Sequence, residues 1–416
     1  MKSNYKKLGQ FIKEVSIKNK ELKVDLLLGV SITKQFIPSI ANTIGTDMSK
    51  YKIVKQKQFA YGPVTSRNGD KISVALLNEE ECIISTSYTV FEIIDTDLLD
   101  PEYLMMWFRR SEFDRYARYM SHGTVRELFG WQEMCDVELP VPSIEKQREI
   151  VREYNVVNDR IALNEQLIQK LEDTAQAIYK QWFVDFEFPI SKEYAESIGK
   201  PELEGQPYKS SGGEMEYCNR LERDIPKPWG AIQIKSFTKK MKSGGTPKRD
   251  VKEYWNSKDI PWLKTGEISN CVITHAEEYI SELGLKKSSA TVYPKNTVLI
   301  AMYGDGKTKG QVGFLRIEAA TNQACCSMQC VDIYDACFLF YYLRFNYQDI
   351  VRNAIGGAQE NLSKSLIENI NILKIEKSII NRLPFRKLIN YSENLMKENR
   401  VLGQLRDIFL QRISKE

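Results

Sequence analysis

The 416-residue chain contains 42% hydrophobic and 27% charged residues, a composition that predicts a folded protein of two or three domains. Its formal net charge is only +4, so the overall charge does not indicate a particular partner. The longest apolar runs are too short to cross a bilayer, and the N-terminal MKSNYKKLGQ lacks the core of a signal peptide, so we expect a cytoplasmic protein without a membrane partner.

Metal and catalytic signatures are weak. The eight cysteines form no zinc-like or disulfide-like spacing, and His122 and His275 are the only histidines, so we expect reduced thiols, no metal site and no histidine-based catalysis. No GxGxxG, GxSxG or adenine-methyltransferase signature is present. We therefore expect no catalytic residues in this chain.

In chain order, residues 1–141 form a first mixed module. Strand-like runs such as ISVALL and CIISTSYTVFEII are followed by a helix from Pro101. The polar tip TSRNGDK lies between two of the strand-like runs, which predicts a hairpin.

Residues 142–186 are predicted to form one long helix, with Ser143 as its N-cap and Glu145 in its first turn. Its apolar positions alternate spacings of four and three, as in a helix that packs lengthwise on another helix. Thirty-odd residues without Pro or Gly would extend roughly 50 Å. The predicted seam is Ile150, Tyr154, Val157, Ile161, Asn164, Ile168 and Leu171, continuing through Ala175, Ile178 and Trp182.

A Pro-, Gly- and Ser-rich connector at 187–228 leads to a second module at 229–374. The final segment, 375–416, is predicted to contain a second long helix that starts near Pro384 and pairs with 142–186. Its seam is predicted 234 residues after the first one, and Glu398 takes the place of the polar Asn164. The seam positions are Leu388, Tyr391, Leu395, Glu398, Leu402, Leu405 and Phe409.

The two modules share more than their helices. Leu104 and Arg109 match Leu339 and Arg344 at an offset of 235, and a Tyr-Gly dipeptide precedes a polar hairpin tip in each module. The sequence thus predicts two copies of one plan, each a module followed by a long helix. The predicted fold class is α+β, with two pseudo-repeated mixed modules separated by an antiparallel two-helix coiled coil.

One enzymatic alternative remains open. Ala301 to Thr308 reads AMYGDGKT, a relaxed phosphate-loop pattern, which would make the chain a nucleotide-hydrolysing enzyme. A phosphate loop runs from a strand into a helix, whereas the following KGQVGFLRI is typical of a strand, so we favour a hairpin tip. Another alternative is that the chain is a coiled-coil interaction scaffold that does not bind DNA.

Several stretches together resemble the specificity subunits of type I restriction-modification systems over nearly the whole chain. They are VELPVPSIEKQREIV, AIYKQWFVDFEFP, GQPYKSSGGEMEY, SGGTPKRDVKEYWNSKDIPWLKTGEIS and GGAQENLSKSLIENINI. The chain departs from the family pattern at EKSIINRL, before Pro384, where a proline-rich lead-in is expected.

The resemblance implies two target-recognition domains that each read half of a split site in double-stranded DNA. It also implies that the paired helices act as a ruler and dock two methyltransferase subunits, and that restriction/translocase subunits join the assembly. S-adenosylmethionine would bind the methyltransferase partner, ATP and Mg the nuclease partner, and no cofactor this chain. The basic stretch KSFTKKMKSGGTPKR and the hairpin tips suit the DNA backbone or base edges, although a solvated surface is the alternative. The predicted DNA contacts are Thr65, Ser66, Arg67, Lys71, Thr246, Lys248, Lys307 and Lys309.

Overall fold

The computed structural model describes residues 4–39, 45–66, 69–121, 127–304, 308–355 and 361–415. The chain divides into two compact units. The first unit comprises Met1–Ala162 and Arg400–Glu416, and the second comprises Leu163–Asn399.

The first unit is built from short strands followed by helices. Its strands are β1 (Tyr5–Lys7), β2 (Ile12–Val15), β3 (Ile17–Lys18), β4 (Leu28–Val30), β5 (Phe36–Pro38), β6 (Lys52–Lys55), β7 (Phe59–Tyr61), β8 (Val74–Leu76), β9 (Glu81–Ile84), β10 (Thr89–Ile93) and β11 (Glu138–Pro140). Its helices are α1 (Pro101–Phe108), α2 (Ser111–Met120) and α3 (Trp131–Cys135), and α4 (Ile144–Phe183) starts here and continues into the second unit. Asp100 caps α1 by accepting hydrogen bonds from the backbone amides of Glu102 and Tyr103.

The second unit has the same kind of composition. Its strands are β12 (Met215–Cys218), β13 (Arg223–Pro226), β14 (Gly230–Gln233), β15 (Lys240–Ser243), β16 (Ile260–Leu263), β17 (Cys271–Ile273), β18 (Glu278–Ile280), β19 (Val298–Ala301), β20 (Val312–Leu315), β21 (Ala320–Thr321), β22 (Cys325–Gln329) and β23 (Asn371–Lys374). Its helices are α5 (Lys192–Ser197), α6 (Ile234–Phe237), α7 (Glu282–Lys286), α8 (Ile333–Phe345), α9 (Tyr347–Ile355), α10 (Lys364–Asn369) and α11 (Lys377–Arg382), and α12 (Phe385–Arg412) ends in the first unit.

The two modules repeat one topology. The main sheet of the first has the order β2-β10-β7-β8, and the main sheet of the second has the order β15-β22-β19-β20, extended by β17. Pairing within each four-strand set is antiparallel throughout. In each module a helix follows the sheet, and a late strand pairs with an early one, as in β1–β11 and β14–β23. The mixed α and β character and the duplicated plan agree with the predicted fold class.

The first long helix begins as predicted. The Ser143 hydroxyl oxygen accepts a hydrogen bond from the Lys146 amide at 3.4 Å, and the pKa of Glu145 is lowered by hydrogen bonds at this terminus. Its 40 residues extend about 60 Å at about 1.5 Å per residue. The predicted positions Ile150, Tyr154, Val157 and Asn164 are buried.

The second long helix begins next to Pro384, as predicted, within the segment 375–416. The segment Lys377–Arg382 forms the separate helix α11, and α12 begins directly after Pro384. Proline cannot donate an amide hydrogen bond within a helix, so a break at this residue is expected.

Its buried face lies one residue further along than predicted. Phe385, Ile389 and Glu393 are buried, whereas Tyr391 and Leu405 of the predicted seam are exposed. The Asn164 amide group donates to the Asn399 side-chain oxygen at 2.8 Å, so Asn399, not Glu398, is the polar partner. An offset of 235, already present at Arg109 and Arg344, would have predicted this register. Ala175 is also buried. The remaining predicted positions are half-buried: Ile161, Ile168, Leu171, Ile178, Trp182, Leu388, Leu395, Glu398, Leu402 and Phe409.

Each unit packs the two long helices against its own core. In the second unit, Tyr179 and Phe183 of α4 share a hydrophobic cluster with Phe385 and Ile389 of α12. In the first unit, Ile150 and Tyr154 of α4 share a cluster with Ile413, just beyond α12. The end of α4 thus meets the start of α12 in one unit, and the opposite ends meet in the other. This arrangement is antiparallel within each unit.

Partly buried ion pairs attach both helices to the second module. Arg344 of α8 contacts Glu172 of α4 at 2.6 Å, and Arg316 contacts Glu393 of α12 at 2.6 Å. Burial raises the pKa of Glu393, but hydrogen bonds from Lys397 and Arg316 outweigh burial and hold this pKa below its usual range.

The connector at 187–228 is folded rather than extended. Phe188 stacks on Tyr208 with ring centroids 4.7 Å apart and on Trp229 at 4.5 Å. These rings belong to the hydrophobic core of the second unit, together with Phe186 and Ile225. Aromatic burial fixes this segment although its Gly- and Pro-rich composition resembles that of a linker.

Candidate nucleic-acid interface

Four segments emerge at one end of the main sheet in the second module. Because β15 and β19 both run antiparallel to β22, their carboxyl ends lie beside the amino end of β22. That end therefore gathers the loops 244–249 and 322–324 and the described parts of the hairpin tip, 302–304 and 308–310. Strand β17, parallel to β20, adds the segment 265–270. Backbone hydrogen bonds join these loops, from Gly245 to Thr321 at 2.8 Å and from Met302 to Ala324 at 2.7 Å. The topology thus places the predicted residues Thr246, Lys248 and Lys309 at the same end of one sheet.

A polar cleft of about 600 Å³ lies at this sheet end. The Thr246 hydroxyl donates to the Gln323 side-chain oxygen at 2.5 Å, and the Trp262 indole donates to the Gly245 carbonyl at 3.0 Å. Asn322 and Lys264 also line the cleft. Amide, hydroxyl and amine groups are the side-chain types that read base edges.

Two cations in the cleft are held by carboxylates. The Arg249 guanidinium lies 3.7 Å from the ring centre of Trp255 and 4.7 Å from that of Trp262, and it pairs with Glu278. The Lys264 amine lies 2.8 Å from Glu278. Burial raises the pKa of Glu278, but hydrogen bonds from Lys264 and Arg249 outweigh burial and lower this pKa. These cations are therefore held in a fixed arrangement and partly neutralised, which suits positioning better than bulk attraction of phosphate.

Lys248 has a different environment. Its side chain is exposed, and within the described ranges no carboxylate lies at ion-pair distance from it. The backbone of the loop is held because the Trp255 indole donates to the Lys248 carbonyl at 3.0 Å. An exposed lysine on a fixed loop suits a phosphate contact.

The segment Ala301–Thr308 joins two strands. The amide of Gly310 donates to the Ala301 carbonyl at 2.8 Å, and the Ala301 amide donates to the Gln311 carbonyl at 2.9 Å, which closes a hairpin between β19 and β20. Since a strand, not a helix, follows, the phosphate-loop alternative is wrong and the hairpin prediction is confirmed. Lys309 is half-buried in this hairpin, while Lys307 lies outside the described residues.

The first module carries the equivalent hairpin between β7 and β8. Ser66 and Lys71 are exposed there, whereas Arg67 lies outside the described residues. Thr65 is only 2% exposed, and its hydroxyl donates to Ser121 at 2.9 Å. This position does not suit a direct DNA contact, so we leave Thr65 out of the proposed interface.

A buried ion pair fixes the base of the first hairpin. The Lys34 amine lies 2.5 Å from the Asp114 carboxylate and donates to the Ile72 carbonyl at 2.7 Å. The same carboxylate accepts from the Ile72 amide at 3.1 Å. Burial lowers the pKa of Lys34, and Asp114 opposes this effect. The pair therefore connects the hairpin to α2 and to the turn between β4 and β5, and we call it the hairpin clamp.

The cleft residues Lys264, Asn322 and Gln323 were not predicted as DNA contacts. Lys264 is 58 residues before Asn322 in the sequence, and only the sheet topology brings it close to Asn322 and Gln323. In the sequence, Asn322 and Gln323 stand out only as two polar residues, in TNQA, directly before an apolar strand. That pattern is a weak indication of a binding site.

Among the described residues, no group of three or more His, Cys, Asp or Glu side chains is arranged to bind a metal. No helix in this part of the chain has both the length and the apolar character needed to span a bilayer. Burial raises the pKa of the thiols of Cys82, Cys326 and Cys337 to about 12 in each case. Such thiols are poor nucleophiles and behave as core residues.

A comparison with known families identifies the family to which this two-module chain belongs. The family model described as type I restriction modification DNA specificity domain matches residues 4–173 and 226–373, one segment for each module. These segments cover more than half of the chain, and the chain belongs to this family. Membership confirms the prediction of a type I specificity subunit, a component that recognises DNA and is not the catalytic subunit.

Individual relatives agree over most of the chain. The type I restriction enzyme MjaIX specificity subunit of Methanocaldococcus jannaschii is 25% identical over 338 residues, covering 79% of this chain and 72% of that protein. The HindI specificity subunit of Haemophilus influenzae is 26% identical over 410 residues, covering 87% and 86%. The crystal structure of the S subunit from M. genitalium shares the fold with a TM-score of 0.56 and 13% identity, covering 99% of this chain and 95% of that one.

Proposed function

We propose that this chain recognises a bipartite site in double-stranded DNA, with one half-site read by each module. The proposal rests on the repeated strand order of the two main sheets, which presents the hairpins β7–β8 and β19–β20 at corresponding positions. The two hairpin tips, TSRNGDK and DGKTKG, have similar polarity and different side chains. Shared frames with different tips suit two readers of different base sequences, because base edges are read by individual side chains.

In the second module, the proposed reading residues are Gln323, Asn322 and Thr246 in the polar cleft. Lys248 and Lys309 are proposed to contact phosphate. In the first module, Ser66, Arg67 and Lys71 are proposed contacts, and Lys307 is retained as a proposal for the second hairpin tip.

We further propose that α4 and α12 form the coiled coil that sets the distance between half-sites. Support comes from the 40-residue length of α4, from its seam spacing and from the hydrogen bond between Asn164 and Asn399. A polar pair at one seam position fixes the register of two helices, since any slip would bury the amides without partners.

The same helices are proposed to dock the methyltransferase subunits. Val156, Leu163 and Leu167 of α4 are 69%, 46% and 41% exposed, and their spacing of seven and four places them on one helix face. An exposed apolar stripe of this kind suits an amphipathic helix of a partner. The partners would supply S-adenosylmethionine chemistry, and restriction subunits would supply ATP- and Mg-dependent cleavage.

The binding proposal is tested after mapping methylated adenines in the host genome with and without this gene, which gives the candidate site. The chain with its methyltransferase partner is then titrated with the full site and with each half-site in an unrelated duplex. Linking two binding events should tighten binding at least about a hundredfold over either half-site. Equal affinity for a half-site would contradict bipartite recognition, and failure to bind any duplex at low salt would favour a scaffold without a DNA role.

The docking proposal has its own test. Leu163→Gln combined with Leu167→Gln should weaken co-elution with the methyltransferase subunit, because the stripe loses apolar contact area. Val331→Gln is the matched control, since Val331 is 75% exposed and lies outside both long helices. Equal loss in both variants, or no loss in the double variant, would count against docking on this face.

A further inference from the structure

Both modules contain a cleft at the same position in the fold. The first, of about 520 Å³, is lined by Trp107, Tyr116 and the segment 136–138, and the second, of about 600 Å³, by Tyr342, Asp349 and the segment 369–371. Strand pairing shows the equivalence, because Lys7 pairs with Glu138 in one module as Gln233 pairs with Asn371 in the other. We call these the first cleft and the second cleft.

The second cleft is covered by the chain itself. The connector turn 220–223, between β12 and β13, contributes to its wall. The Asn371 side-chain amide donates to the carbonyl of Arg220 at 3.1 Å, and the Arg223 guanidinium lies 5.4 Å from the ring centre of Phe186. A turn with two arginines and one glutamate thus forms part of the wall of this cleft and accepts a hydrogen bond from Asn371 through its main chain.

The first cleft has no equivalent cover within the described part of the chain. Apart from Ser414, its lining comes from the first module alone. Asp136 and Glu138 stand where the second cleft has Asn369 and Asn371, and Glu112 adds a third carboxylate. The pKa of the Tyr116 phenol is raised, mainly by burial and also by the negative charges of Asp136 and Glu138. The lining of the first cleft thus has three carboxylates against one guanidinium, whereas the second has two of each. Lys7 already pairs with Asp136 at 2.8 Å and Arg110 lies 3.6 Å from Glu112, which leaves Glu138 as the lining carboxylate without an ion pair among the described residues.

Its wall contains a buried arginine with one unpaired donor. Arg110 is 7% exposed, and its guanidinium lies 4.3 Å from the ring centre of Trp107, with Nη2 3.6 Å from Glu112. Among the described residues, its Nε has no hydrogen-bond partner. A buried donor left in this state is costly, so a further acceptor is expected near it. Phosphate is a poor candidate because three carboxylates line the same cleft.

We propose that the first cleft binds an extended, arginine- or lysine-bearing segment of a partner protein, as a counterpart to the connector turn that covers the second cleft. A cationic side chain of the segment would pair with Glu138, and others would lie near the already paired Glu112 and Asp136. The main-chain carbonyl groups of the segment would lie beside the Arg110 guanidinium. Tyr5, Trp107 and Tyr116 supply apolar area for the aliphatic parts of those side chains.

The test uses the connector segment that lines the second cleft. A fluorescent peptide copying residues 217–226, with Cys218→Ser, is titrated into the full chain bound to its methyltransferase partner. Glu138→Gln should weaken peptide binding about tenfold, because one charge-assisted contact of about 1.5 kcal/mol is lost. Replacing both arginines of the peptide by alanine should weaken binding at least as much.

Glu282→Gln is the matched control, because Glu282 is an exposed acid on α7 of the second module. Duplex binding by the Glu138→Gln variant should equal that of the unmodified protein, which shows that the variant is folded and separates this proposal from DNA recognition. Absence of peptide binding, or binding insensitive to Glu138→Gln, would overturn the proposal. A dimer of this chain that dissociates on Arg223→Ala would assign the cleft to a second copy and would also overturn it.

Discussion

Removing one partner of the hairpin clamp should unfold the first module far more easily. Lys34 and Asp114 are 6% and 9% exposed, so Asp114→Asn would leave a buried ammonium group with only neutral acceptors, the Asn side-chain oxygen and the Ile72 carbonyl, and no countercharge. Breaking a buried ion pair at one side typically costs about 3–5 kcal/mol. The lowered pKa of Lys34 has the same origin, since burial penalises its charged form. We therefore expect a loss of about 3 kcal/mol or more, a large part of the stability of a module this size.

Hydrogen–deuterium exchange with mass spectrometry gives the measurement, because peptides from the second unit serve as an internal control. In Asp114→Asn, peptides from β7, β8 and α2 should exchange faster by about a hundredfold or more, and peptides from β19 and β22 should be unchanged. Lys34→Met combined with Asp114→Leu should recover much of the protection, because two apolar groups leave no buried charge. A loss below about 1 kcal/mol in Asp114→Asn would refute the reasoning, since it would mean that Lys34 reaches water.

Three further outcomes are expected. In urea denaturation, Asn164→Leu alone should lower the free energy of unfolding by about 1 kcal/mol, because the Asn399 amide loses its partner. The double variant Asn164→Leu with Asn399→Leu should be neutral or stabilising, because no amide is left without a partner. A more stable single variant would contradict the pairing. Lys248→Ala should reduce the slope of log affinity for DNA against log salt by about 0.9, and Lys286→Ala should leave it unchanged; equal slopes in both would remove Lys248 from the interface. Thermal unfolding should show that the unmodified protein is more stable than Glu393→Gln by its whole margin above about pH 4.5. This margin should shrink as pH falls through the lowered pKa of Glu393. A constant margin down to pH 3 would contradict that lowered pKa.

The duplicated plan could be predicted from the sequence because helix seams and strand-like runs are local patterns. The N-cap at Ser143 and the hairpin at Ala301–Thr308 followed from neighbouring residues alone. The register of the second helix could not be fixed this way, since Leu405 and its neighbours satisfy a heptad pattern in either register. The hydrogen bond between Asn164 and Asn399 decides it, and that contact joins residues 235 positions apart.

Only part of the proposed interface could be predicted, because some of its residues lie close together in the sequence and others do not. Thr246 and Lys248 lie on a basic, glycine-containing loop that a sequence can reveal. Gln323 and Lys264 become cleft residues only after β22 and β16 take their places in the sheets. Thr65 is a residue type that often contacts DNA, yet here it is buried and its hydroxyl donates to Ser121 within the same module. The polar sequence around Thr65 does not show that its side chain is buried.

The central claim is that the paired helices set the spacing between two half-sites. Adding one heptad to α4 and one to α12 together lengthens both by about 10 Å, the rise of about three base pairs. Methylated adenines mapped in cells carrying this variant should show the same two half-sites with a longer spacer. The same half-sites at an unchanged spacer would contradict the account.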